Sequence, residues 1–189
     1  LLHSIHNSLI KDTNMHECNN ICIITGTPQC GKTTFLQKII TFARTQNLNL
    51  GGFIAIGLWD GNQRAGFILE DLTTGNQVPL SGRSVESTEP GGYVFFKEGF
   101  AAGLTTLTPE ALAGKDLIFI DEVGWLETRG DGWAQALPHL VNSAVRQIWV
   151  VRESMVPKVC ATWNFKPGLI INATDNKAWN IFLEWLNAK

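Results

Sequence analysis

Gly26-Thr27-Pro28-Gln29-Cys30-Gly31-Lys32-Thr33 lies directly between an apolar run, Ile21-Cys22-Ile23-Ile24, and a segment patterned as a helix. This G-x-x-x-x-G-K-T spacing restricts the fold, because it requires a strand leading in and a helix leading out. Its glycines let the backbone curl so that successive amide N–H groups face one anion, and the helix adds its positive dipole end at the same point. The segment therefore predicts a phosphate cradle for a nucleoside triphosphate. Lys32 is placed to reach the β and γ phosphates and the Thr33 hydroxyl to sit on Mg²⁺, with Thr34 opening the helix behind them.

Downstream, Phe35, Leu36, Ile39, Ile40 and Ala43 recur at helical spacing up to about Asn47. Gly51-Gly52 opens a β-rich stretch in which residues 53–58 are apolar, Asp60-Gly61-Asn62 is turn chemistry, and residues 64–72 resume as a hairpin partner. A turn at Thr74-Gly75-Asn76 leads to a short strand at 77–80, residues 81–92 read as a mobile loop, and residues 93–96 as another strand. Residues 98–112 read as two short helices broken near Thr108-Pro109, since proline suits a first helical turn. Strands at 116–120, 147–151 and 169–172 then alternate with helices at 133–144, 155–163 and 175–187. This alternation predicts a three-layer α/β fold, a mainly parallel sheet flanked by helices, with a β-hairpin inserted after the first helix.

A chain of 189 residues fits one domain with a core of its own. We place that domain at residues 20–189 and read residues 1–19 as a polar linker or trimmed remnant. No apolar stretch approaches the roughly 20 residues needed to cross a bilayer as a helix. A net charge of −2, with scattered Lys and Arg, gives no electrostatic footprint for nucleic acid. Cys18, Cys22, Cys30 and Cys160 follow no zinc spacing and one lies inside the loop, which favours a reducing cytoplasm. Cys30 reads as a small residue filling a loop position, although a thiol at a helix N-terminus is where oxidisable cysteines occur. No basic stretch precedes an apolar one at the start, so no signal peptide is read there.

The second half of the site is carried by Leu117-Ile118-Phe119-Ile120-Asp121-Glu122, an apolar strand delivering a carboxylate at its end, the Walker B pattern. In an open α/β sheet that end meets the phosphate loop. Asp121 would hold Mg²⁺ from the side opposite Thr33, and Glu122 would accept a hydrogen bond from an attacking water.

Asp121-Glu122-Val123-Gly124-Trp125-Leu126-Glu127 resembles the D-E-[IV]-G-x-[ML]-E signature of the small nucleoside-triphosphatases related to a thermophilic archaeal and bacterial enzyme and to the animal cancer-related nucleoside-triphosphatase. Gly26, Pro28, Gly31, Lys32, Thr33 and Thr34 match that family's loop, Gly51-Gly52-Phe53 and Arg64-Ala65-Gly66-Phe67 its middle elements, and Asp175-Asn176-Lys177 its E-N-R motif. The resemblance implies a RecA-like P-loop fold over residues 20–189, Mg²⁺-dependent hydrolysis of ATP, GTP or other triphosphates, Asn176 beside the base, and Glu127 as a catalytic or supporting acid. Three departures stand out. Gln29 replaces a glycine often found in the loop, so it either restricts backbone approach to phosphate or faces outward. Trp59 stands where an arginine is common, and Lys177 replaces the arginine of E-N-R, so a bidentate guanidinium is missing twice.

Arg64, Arg129 and Arg152 are the candidates to steady the transferring phosphoryl group, and Arg152 is the best placed because it follows the strand at 147–151. Most of the seven tryptophans, Trp179 and Trp185 among them, read as core rather than base-stacking platforms. Two other readings use the same loop: a kinase passing phosphate to a small acceptor under the loop at 81–92, and a slow nucleotide-gated interaction module.

Overall fold

The continuous apolar runs of the sequence form strands covered on both faces of one sheet. The computed structural model describes residues 15–87 and 92–188. The strands are β1 (His16–Thr25), β2 (Leu50–Asp60), β3 (Gln63–Asp71), β4 (Gln77–Arg83), β5 (Tyr93–Phe95), β6 (Leu117–Val123), β7 (Arg146–Val151) and β8 (Phe165–Asn172). The helices are α1 (Lys32–Thr45), α2 (Lys97–Thr106), α3 (Pro109–Leu112), α4 (Leu137–Val141), α5 (Val156–Thr162) and α6 (Ala178–Asn187). The sheet order is β5-β4-β3-β2-β6-β7-β1-β8. Strands β2, β6, β7, β1 and β8 are parallel, while β3, β4 and β5 extend β2 in antiparallel fashion.

Side-chain alternation assigns the two faces. Ile21, Ile23, Ile118, Ile120, Trp149 and Val151 pack into one core with Leu112, Leu137 and Val159, under α2 to α5. Cys22, Ile24, Leu117, Phe119, Ile148 and Val150 pack into the other, with Leu36, Ile39 and Ala43 of α1 and Phe182 of α6. These strand residues are all at most 2 % exposed, and each such burial is worth about 1.5–3 kcal/mol. The strand ends are consequently rigid mounts for whatever they carry. Trp133 and Trp149 are buried and Trp179 and Trp185 half-buried against the α1 side, but Trp59 and Trp125 are exposed.

The three-layer α/β architecture with a mainly parallel sheet is as expected, and the differences have local causes. The inserted hairpin is larger: β2 is itself a central strand and three antiparallel strands follow it. Residues 81–83, expected in a loop, continue β4, because Ser81, Gly82 and Arg83 pair with Phe95, Val94 and Tyr93. The rest of that expected loop falls partly outside the described residues. The helix expected at 133–144 shrinks to Leu137–Val141, since Pro138 occupies its first turn and cannot sit deeper in a longer helix. At the start, β1 takes in His16, which pairs with Phe165, so the expected linker ends sooner than residue 19. Residues 1–14 lie outside the described ones.

Candidate functional site

β1, β6, β7 and β8 run parallel and end at Thr25, Val123, Val151 and Asn172, so four carboxyl ends share one rim of the sheet. The phosphate-loop segment leaves β1 at this rim and enters α1 through Gly31, whose φ is 94°. Within the loop the Lys32 ammonium donates to the carbonyls of Gly26 (3.1 Å) and Thr27 (2.7 Å). Cys30 turns its sulfur inward: a Cβ built on Gly26 would lie 2.5 Å from Sγ, so thiol and glycine share one space. Gln29 is exposed and holds φ at 61°, the left-handed region that a glycine adopts freely.

Asp121 ends the core part of β6 and is fully buried. Its Oδ2 accepts from the Ala55 amide (3.1 Å) and its Oδ1 from the Glu122 amide (2.9 Å). Burial, reinforced by the charge of Glu122, pushes its pKa up to about 7, against the pull of the two amides and of the Lys32 ammonium. The loop lysine and the strand acid thus act within one electrostatic site. Glu122 follows at φ 59°, where the β6–β7 ladder slips between Ile120 and Val123. Left-handed backbone at a non-glycine residue costs roughly 1–3 kcal/mol and gathers at functional positions. The slip re-aims Glu122 into a cavity beyond the rim.

Glu127 is 2 % exposed, within a short turn of 3₁₀ helix, Glu127–Arg129. Its Oε2 accepts from the Gly124 amide (2.7 Å) and its Oε1 from the Trp133 amide (3.3 Å). One carboxylate thereby ties both ends of the segment that follows β6. Burial is the main cause that pushes its pKa up to about 7. Gly132 has φ 55°, and a Cβ there would stand 2.2 Å from Glu127 Oε1, so this glycine makes room for the carboxylate.

The cavity encloses about 230 Å³ and is lined by Glu122, Glu127 and Arg152 together with Phe67, Tyr93, Phe95, Phe100, Trp125, Trp133 and Met155. Arg152 leaves β7 beside the phosphate loop, where the Glu153 amide donates to the Gly26 carbonyl (3.5 Å). The other two arginines do not line the cavity but stack against rings that do. The Arg64 guanidinium stacks over Trp59 (4.7 Å) and Phe67 (5.0 Å), with a buried Nε that meets no partner among the described residues. Arg129 lies 5.6 Å over the exposed Trp125 ring. Asn176 is exposed in the turn after β8, which joins the loop's strand through the Ala173 amide and the Thr25 carbonyl (2.9 Å). The aromatic wall carried no signal in the sequence, because its members come from four separated segments and each alone reads as core.

Among the described residues no three His, Cys, Asp or Glu side chains gather as a metal cage. Thr33 on the loop and Asp121 at the end of β6 are hard oxygen donors of the kind Mg²⁺ accepts when phosphate oxygens and water complete its shell.

Residues 21–183 match the sequence profile of a family described as NTPase. The chain is similar to nucleoside-triphosphatase THEP1 of Methanopyrus kandleri, 26% identical over 131 residues that are 69% of this chain and 72% of that protein. It is 29% identical to the protein of that name from Pyrococcus abyssi, over 71% of this chain and 75% of the relative. The fold is also similar to the crystal structure of THEP1 from Aquifex aeolicus, with TM-score 0.66 at 20% identity, covering 89% of this chain and 99% of that one. The solution structure of a human cancer-related nucleoside triphosphatase superposes with TM-score 0.64 at 22% identity, over 86% and 93%.

Proposed function

Because the chain belongs to the NTPase family, we propose that it hydrolyses nucleoside triphosphates to the diphosphate and phosphate at the rim where Lys32, Asp121 and Glu122 meet. The observation that carries this reading is the shared rim, where the phosphate loop leaves β1 and Asp121-Glu122 stand at the end of β6, parallel carboxyl ends with one strand between them, near enough for the Lys32 charge to act on Asp121. The relatives named above are nucleoside-triphosphatases by name, and the same chemistry fits these residues.

The amides of Gly26, Thr27, Gln29, Cys30 and Gly31 to Thr34 cradle the phosphates, and Lys32 turns from the loop carbonyls to neutralise charge developing on the β and γ groups. Thr33 and Asp121 would hold Mg²⁺, which would supply Lewis-acid stabilisation of the phosphate oxygens. Asp121, whose pKa burial raises to about 7, would be held in its ionised form by such a cation. Glu122 orients the attacking water and takes up its proton, at the position to which the strand slip delivers it. Arg152 faces the same space and steadies the transferring phosphoryl group, while Asn176 borders the base. Glu127 is a positioning residue here, since both its oxygens are engaged by backbone amides.

Phosphate release from ATP and from GTP, compared between the wild type and Lys32→Ala, tests the reading. The expected result is release that needs Mg²⁺ and falls at least a hundredfold in the variant; equal release from both proteins would remove the loop from the chemistry.

A further inference from the structure

We propose that the cavity beyond Glu122 binds a small aromatic alcohol, which takes the γ phosphoryl group in place of water. The proposal rests on the triphosphatase reading of the same site and names an acceptor for it. Four observations carry it.

The first is size. The cavity measures about 230 Å³ against roughly 30 Å³ for a water in the liquid, so it far exceeds what hydrolysis needs. It is also smaller than the roughly 300–1,000 Å³ of sites for drug-sized ligands, which limits the occupant to one ring or a fused pair. The second is lining. Buried water needs two to four polar partners, and most of this wall offers none. Phe67, Tyr93, Phe95, Phe100 and Trp133 present aromatic faces and edges instead. Those rings also hold one another in place: Phe95 stacks on Phe100 at 5.3 Å, Phe100 meets Trp133 edge-on at 5.1 Å, and Phe67 meets Tyr93 at 5.4 Å. A wall fixed in this way receives a planar ring with little reordering.

The third observation is polarity. Of the cavity's charged groups, Glu122 and Arg152 come from the ends of β6 and β7 at the rim that bears the phosphate loop, with Ser154 just after Arg152, and Glu127 follows β6 with both oxygens taken by backbone amides, while the aromatic wall comes largely from β3, β5 and α2. An occupant matching this gradient has an apolar ring and a polar end turned toward Glu122. A hydroxyl suits that end, because a carboxylate accepts its hydrogen bond. The fourth is direction. In-line transfer places the nucleophile across the γ phosphorus from the bridging oxygen. Glu122, the group that orients the nucleophile, is itself a lining residue, so the space it addresses is this cavity.

In the step proposed, the hydroxyl oxygen forms a bond to the γ phosphorus as the bond from that phosphorus to the β–γ bridging oxygen breaks. The hydroxyl proton passes to the Glu122 carboxylate, and the electron pair of the broken bond remains on the nucleoside diphosphate. The products are a phosphate monoester of the alcohol and the diphosphate, with Glu122 returning its proton to water.

The test uses the full chain with ATP, Mg²⁺ and millimolar benzyl alcohol or 2-naphthalenemethanol, with products followed by ³¹P NMR and mass spectrometry. The expected result is formation of benzyl or naphthylmethyl phosphate with a matching fall in inorganic phosphate. In Phe100→Trp, which fills part of the cavity, the ratio of ester to inorganic phosphate is expected to drop at least tenfold. Undiminished phosphate release with no ester from either alcohol overturns the acceptor proposal and leaves the triphosphatase reading standing. Neither phosphate nor ester overturns both. An ester-to-phosphate ratio unchanged in a folded Phe100→Trp places the acceptor elsewhere and also overturns the proposal.

Discussion

At the scale of single residues, two non-glycine side chains in the site hold left-handed backbone, Gln29 at φ 61° and Glu122 at φ 59°. The loop's identity was legible from its glycines and lysine, but the strain at Gln29 was visible only as a departure from the family pattern until the dihedral angle gave it a cause. Gln29→Gly is expected to leave stability unchanged or raise it by up to about 1 kcal/mol, because relief of the strained φ competes with the extra freedom glycine gives the unfolded chain. Gln29→Val, β-branched and poorly suited to positive φ, is expected to cost about 1–2 kcal/mol. Urea denaturation midpoints of the two variants check both values.

Glu127 changes the reading of a motif residue. The sequence marked it as a supporting or catalytic acid, and the structure shows both oxygens committed to the Gly124 and Trp133 amides. Sequence position cannot reveal this, since Trp133 and the φ 55° of Gly132 complete the arrangement from outside the motif. Its pKa, pushed up from 4.5 to about 7, means that the folded chain holds a proton which the unfolded chain releases within that interval. The stabilisation is therefore complete below about pH 4.5 and is lost as pH rises toward 7. Asp121, also raised to about 7, adds a slope of the same sign. Denaturation midpoints are expected to fall between pH 5 and pH 8 in the wild type and to fall less steeply in Glu127→Gln. Gly132→Ala, forcing a methyl into the carboxylate, is expected to cost about 2–3 kcal/mol at either pH.

Among the elements, the parallel strands were the most legible, because burial on both faces writes itself as an unbroken apolar run. The antiparallel extension was under-read at β4, where Ser81 and Gly82 look like loop residues yet pair with Phe67 and Gly66 of β3. The helix at α4 was over-read from its apolar spacing, with Pro138 marking its true start. Gly52 in β2 shows how tightly β2 and β6 are joined: its φ is 79° and a Cβ would lie 2.0 Å from the Phe119 carbonyl oxygen. The same pairing brings the Ala55 amide to Asp121. Gly52→Ala is expected to destabilise the chain by about 3 kcal/mol or more, seen as a loss of soluble protein or a Tm lowered by several degrees.

Across the whole molecule, the sheet order sets β7 between β1 and β6, so that the phosphate loop, Arg152 and the Asp121-Glu122 pair stand on three adjacent strands. The loop and the acidic strand could each be read from local pattern, and their meeting followed from the α/β alternation. The aromatic cavity could not, since it exists only where β3, β5, α2 and the segment after β6 come together. The most direct measurement is single-turnover cleavage of Mg·ATP by the wild type and by Glu122→Gln, with nucleotide affinity measured alongside. The expected outcome is a cleavage rate lower by roughly 10²–10⁴-fold in the variant with affinity within a few-fold of the wild type, as loss of a general base requires. Equal cleavage rates in two proteins that bind nucleotide equally well would contradict the role assigned to Glu122.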